Sequence, residues 1–188
     1  MKKTTKKEQR IKTANNYVAK WEKFSKDVVA VNENFYKPFF GNINNKAYQF
    51  FTTENFMVCI ETDFCISVPT ICEHHLKEHC ERIISDCLKN NTISLGKITK
   101  EYVLETIEEF KKDNNLTKRP TLYTKKTVFY EISHNTVNAL FLLDIFELFN
   151  SWDLEVYQDK TNETLYRPIL LKVPNTHSIS LIMPIKRG

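Results

Sequence analysis

Glycine is scarce in this chain: three residues among 188. A phosphate cradle built from closely packed backbone amides needs glycines at fixed positions, so the usual nucleotide-binding loops have no material here. The strained glycine-flanked turn that presents a nucleophilic serine is missing for the same reason. Long apolar runs are also lacking, since no stretch of about 18 such residues occurs. The opening MKKTTKKEQRIK leads into no apolar segment, so neither a membrane span nor a secretory signal is legible and a cytoplasmic location is expected. In that setting the five cysteines are expected as reduced thiols, buried or metal-bound, rather than as disulfides. Paired carboxylates at a fixed mechanistic spacing are absent too, and the expectation is a protein that is not an enzyme.

What is present suffices for a core. Hydrophobic residues make up 41% of the chain and aromatics 12%, enough for one domain of ordinary size. Charge is unevenly placed. Residues 1–26 hold nine basic side chains against Glu8 and Glu22, a local net of +7, so residues 27–188 carry −3 of the overall +4. The division expected is therefore a basic N-terminal tail or helix over 1–26 and an α+β body over 27–188. Within the tail, Lys2, Lys3, Lys6, Lys7, Arg10 and Lys12 are the candidates for nucleic-acid contact, because clustered cations gain from counterion release at phosphates. A charge run is more often a solvated surface. Ile11, Tyr17, Val18, Trp21 and Phe24 recur at near-helical spacing, which suits an amphipathic helix.

Along the body the order is mixed. Tyr48 to Phe51 and Phe56 to Val68 read as strands joined by a turn at Thr52 to Asn55. Cys72 to Leu88 reads as a helix with Cys72, Leu76, Cys80, Ile83, Ile84 and Cys87 on one side. A short strand over Thr92 to Leu95 precedes Thr99, whose hydroxyl suits the N-cap of a helix over Lys100 to Lys112. Lys111 to Pro120 reads as a polar loop. Leu122 to Ile132 returns to strand, and Asn138 to Asn150 is a helix apolar on almost every face, which calls for cover on more than one side.

One cluster stands apart. All five cysteines and three of the five histidines lie between Cys59 and Cys87. In CEHHLKEHC, His75 and His79 are one helical turn apart, so both imidazoles can meet one metal, with Cys72 and Cys80 as further thiol ligands. The string His75-Leu-Lys-Glu78-His79 also has the H-x-x-E-H spelling of inverted zinc peptidases. The blander reading is buried thiols and surface histidines. These residues support an alternative in which the chain is a zinc-stabilised regulatory or processing protein; otherwise no cofactor is expected.

The most specific stretch is Glu131 to Arg187. It runs Val137-Asn138-x-x-Phe141, Leu143-Asp144, Asp153-Leu154-Glu155-Val156, Arg167-Pro168-Ile169-Leu170 and Leu181-Ile182-Met183-Pro184-Ile185-Lys186. In this order and spacing it resembles the C-terminal half-domain of bacterial DNA polymerase III beta subunits, the DNA sliding clamps. The resemblance implies an α+β clamp-like domain built from βαβββ half-units, an antiparallel sheet packed on helices. A gapless echo of Tyr102 to Phe110 in Phe141 to Phe149 suits such a repeat.

By resemblance, the function expected is binding of short peptides from a DNA polymerase or accessory factor in replication or repair, with a processivity role. The pocket positions that match are Asn138, Phe141, Tyr166, Pro168, Leu181, Met183, Pro184, Ile185 and Lys186. Apolar anchors with a few polar groups suit a linear motif, and methionine adapts to varied guests. Phe141 stands where the family usually has tyrosine. The helix from Asn138 to Asn150 carries Asp144 and Glu147 and no basic residue, unlike the cationic helices that line a clamp ring. One chain of this length cannot close such a ring, so encircling DNA would require a homo-oligomer.

Overall fold

The computed structural model describes residues 38–53, 55–61, 74–118, 120, 127–160 and 167–185. The basic tail lies outside them. The first hairpin joins β1 (Phe39–Ile43) to β2 (Lys46–Thr52) through Asn44 and Asn45, both left-handed at φ 49° and 64°. Asparagine tolerates this conformation because its short side chain bonds locally, and two such residues give the turn whose twist matches paired strands. The Thr53 hydroxyl then accepts the amides of Asn55 and Phe56, at 3.1 Å each, and turns the chain into β3 (Phe56–Glu61).

Helix α1 (His74–Asn90) buries Leu76, Cys80 and Ile84, the side foreseen from the spacing. It runs directly into β4 (Asn91–Thr99), and Thr99 caps α2 (Lys100–Asp113) by accepting the amide of Tyr102. Next comes a two-stranded ribbon of β5 (Phe129–Ile132) and β6 (Asn135–Asn138). Asn138 then caps α3 (Ala139–Phe149), its side-chain oxygen accepting from the Leu140 amide at 2.9 Å. Asn150 ends that helix in the left-handed conformation. The chain closes with β7 (Asp153–Asp159), β8 (Ile169–Lys172) and β9 (Ile179–Ile182).

Seven of these strands form one antiparallel sheet in the order β1-β2-β3-β9-β8-β7-β4. The run β6-α3-β7-β8-β9 is one βαβββ unit. Both faces of the sheet are covered. On one, α1 packs over Phe39, Phe50, Met57, Cys59, Leu170, Ile179 and Leu181. On the other, α2 and α3 pack over Phe56, Val58, Ile169, Leu171 and Ile182. Burial on both sides explains why Ile169-Leu170-Leu171 and Leu181-Ile182 are apolar at successive positions instead of alternating.

Several boundaries differ from the sequence reading. Strand β4 has nine residues where four were expected, because pairing with β7 carries the exposed Ser94 and Lys97 into the sheet, with register shifts and Gly96 at φ +92° absorbing the extra length. Of the strand expected over Leu122 to Ile132, residues 122–126 lie outside the described residues and β5 covers Phe129–Ile132. Helix α2 runs on to Asp113, shortening the expected loop.

At the outer edge, the Asn42 amide donates to the Glu81 carboxylate of α1 at 2.6 Å. Gly41 permits this approach, since a Cβ there would stand 2.7 Å from Glu81 Oε1 and 2.7 Å from Phe50 Cε2. Unpaired edge amides invite another strand, and this contact satisfies one of them.

Candidate functional site

The candidate site lies where the chain leaves the large sheet. In β9, Ile182 pairs with Phe56, and the next residue, Met183, donates its amide to the Asn55 carbonyl at 2.9 Å. Two residues later Ile185 donates to the Thr136 carbonyl in β6 at 2.7 Å. Residues 183–185 thus bridge the seam between the large sheet and the ribbon. Proline at 184 has no amide to leave unsatisfied at this crossing.

Six of the expected pocket residues gather at this seam. Phe141, on the first turn of α3, lies against Phe56 with ring centroids 5.7 Å apart and planes tilted by 51°, a favourable offset geometry. Asn138 caps the same turn. Met183 is 38% exposed, and Pro184 and Ile185 are half-buried beside it. Pro168 belongs to the rim as well, because Ile169 pairs with Ile182 and one further antiparallel step sets Pro168 opposite Met183. Its carbonyl accepts from the Asn91 amide nitrogen Nδ2 at 2.9 Å.

Leu181 is not brought to this corner. It is 3% exposed and sits under α1, on the face that alternation gives it because the next residue, Ile182, packs toward α2 and α3. Tyr166 and Lys186 lie outside the described residues, as do Lys2, Lys3, Lys6, Lys7, Arg10 and Lys12. The residues that sequence reasoning missed are Phe56, Asn55 and Thr136. Only the strand pairing brings them here, and no local signal marks them.

The cysteine and histidine cluster is divided by its own helix. His75 and His79 are on the exposed side of α1, where His79 Nδ1 lies 3.2 Å from Arg82. Cys80 points the other way, into the core that also holds Cys59. Burial pushes the Cys59 thiol well above its ordinary value, and the neighbouring Cys80 adds to the shift. Such thiols are poor nucleophiles and poor metal ligands, since the thiolate is the reactive form. Among the described residues no group of three His, Cys, Asp or Glu side chains could hold a metal ion; Cys72 lies outside them.

The paired helices α2 and α3 present an acidic exterior. Glu101, Glu105, Glu108 and Glu109 are exposed on α2. Lys111 is engaged by Glu108 at 3.4 Å, and Lys100 by Glu147 of α3. No helix among the described residues is long and apolar enough to cross a membrane.

No family model matches the chain, and no curated protein matches it. Among solved structures the chain is similar to DNA polymerase III subunit beta from Borrelia burgdorferi, determined in complex with a natural product. The TM-score is 0.54 at 11% identity, over 95% of this chain and 63% of that one. The chain therefore spans less than two thirds of that protein's length. At this identity the likeness shows the fold, which is α+β and sliding-clamp-like, with a large antiparallel sheet packed against helices.

Proposed function

We propose that this chain is a clamp-like, non-enzymatic protein of DNA replication or repair that takes short peptides of a polymerase or accessory factor at the seam around Met183. One observation carries the reading: an exposed methionine is held by its backbone to Asn55, whose neighbour Phe56 packs against Phe141 on the first turn of α3. An apolar anchor with a fixed backbone and a mobile side chain suits a linear-motif guest. A processivity role would need DNA to be held. The acidic faces of α2 and α3 disfavour that contact, which leaves it to the tail lysines and Arg10, acting in a homo-oligomer if a ring forms.

Fluorescence polarisation tests the reading, with a fluorescein-labelled clamp-binding peptide from a replicative DNA polymerase as probe. The native chain binds it, and Met183→Asp abolishes binding while the circular dichroism spectrum stays unchanged. Failure of the native chain to bind at protein concentrations up to about 1 mM, where the binding free energy is only about −4 kcal/mol, would overturn it.

A further inference from the structure

The outer side of α2 is exposed, and its first turn carries apolar surface. Tyr102 there is 62% exposed, and Trp152, in the connection from α3 to β7, is 66% exposed. Lys100 ties the two together. It donates its amide to the Trp152 carbonyl at 2.8 Å and holds its ammonium 5.3 Å from the centre of the Trp152 ring, two positions before Tyr102 in the same turn. From that turn an acidic stripe runs along α2. Glu101, Glu105 and Glu108 share a side at helical spacing, with Glu109 next to them, and all four are exposed. Together α2 and α3 hold seven acidic side chains against three basic ones. Of those three, Lys100 and Lys111 are already engaged by Glu147 and Glu108. The face is therefore negative, with aromatic surface at one end.

We propose that the chain's own N-terminal segment, residues 1–26, docks on this outer face of α2. Charge selects the occupant: the segment has a net charge of +7, whereas residues 27–188 carry −3. Its apolar positions Tyr17, Val18, Trp21 and Phe24 supply the partners that Tyr102 and Trp152 lack in water, which an ion-pair surface alone would not use. Reach permits the contact. Strands β1 and β4 are the two edges of the sheet, six spacings or about 29 Å apart, and α2 follows directly on β4. The stretch from residue 27 to the start of β1 spans up to about 40 Å when extended. Each exposed ion pair contributes little, but tethering keeps the segment at a high local concentration, so several weak pairs suffice. Docking occupies the same cations that the reading above leaves for DNA, and the chain thereby masks its own polyanion-binding segment. The inference does not depend on the site at Met183.

Zero-length carbodiimide cross-linking of the full chain, read by peptide mass spectrometry, tests this. Amide links are expected within one chain between the tail lysines and Glu101, Glu105, Glu108 or Glu109. The double variant Glu105→Lys with Glu109→Lys keeps Glu101 and Glu108 as reporters, and links to these two should fall about fivefold, as they should for the native chain in about 1 M salt. An unchanged circular dichroism spectrum shows that the variant still folds. A second readout needs no cross-linker. Trp152→Phe leaves Trp21 as the sole tryptophan, and its emission should move to longer wavelength when the same two charges are reversed. Links that join two chains instead of one hand the face to a second copy's segment and overturn the proposal. So do tail links made as often to Glu78 and Glu81 of α1 as to α2, an absence of tail links, or links and Trp21 emission that survive the reversal in a folded variant.

Discussion

Leu181 and Met183 are two residues apart and chemically alike, yet the fold gives them opposite tasks. Leu181 is 3% exposed among Met57, Cys59, Leu170 and Leu76, whereas Met183 is 38% exposed beyond the end of β9. Leu181→Ala removes the equivalent of three methylene groups from a filled core. At about 0.8 kcal/mol per group the transfer loss is about 2.4 kcal/mol, and incomplete collapse of the cavity raises it to about 3 kcal/mol. For a chain of this size each kcal/mol lowers the melting temperature by about 2–4 °C, so the drop expected is about 6–12 °C. Met183→Ala leaves the amide bond to Asn55 in place and truncates a side chain already in water, at a cost below about 1 kcal/mol. Thermal unfolding followed by circular dichroism compares the two, and urea midpoints with constant slope confirm that stability alone has changed. Equal losses for both variants, or a larger loss at Met183, would refute the reading that α1 covers Leu181 while Met183 lies beyond that cover.

Two further outcomes follow from features of the fold. Gly41→Ala forces a Cβ to within 2.7 Å of Glu81 Oε1 and Phe50 Cε2, and the displacement of both should cost about 1–3 kcal/mol, seen as a lower urea midpoint. Alkaline pH should destabilise the fold. Burial, with Asp86 next in weight, raises Cys87 from 9.0 to about 11, and burial also raises Cys59, Tyr48 and Tyr130. The folded chain thus keeps protons that the unfolded chain releases, so the Cys87 contribution is intact below pH 9 and disappears as pH climbs toward 11. Melting temperatures measured from pH 7 to 10.5 should decline above 9, less steeply for Cys87→Ser. A flat profile in the native chain contradicts this.

Much of the fold was legible because local chemistry and packing agreed. Thr99, Asn138 and Asn150 mark helix ends by what their side chains or backbones can do, and each stands at such an end. The buried side of α1 follows from its periodicity. Other features could not be read because a distant partner imposes them. The edge strand β4 is polar along most of its length and is a strand because β7 pairs with it. The β1–β2 hairpin turns on Asn44 and Asn45 without a glycine, so the usual turn signal is weak. Leu181 shows the limit most directly. Where both faces of a strand are buried, alternation disappears from the sequence, and which neighbour points toward the cleft cannot be told until the sheet's two covers are known. The corner itself was half legible, since Asn138, Phe141, Pro168 and Met183 to Ile185 came from sequence, whereas Asn55, Phe56 and Thr136 reach it only through pairing.

A sheet roofed by α1 on one side and by α2 with α3 on the other has no open floor to lend. Newcomers are confined to its margins. The margin at β1 is partly shut by a carboxylate reaching over from the roof, and the one at β4 is puckered by its irregular register. Among the described residues, the junction beside residues 183–185 is the margin without such a cover, and the proposed recognition depends on it.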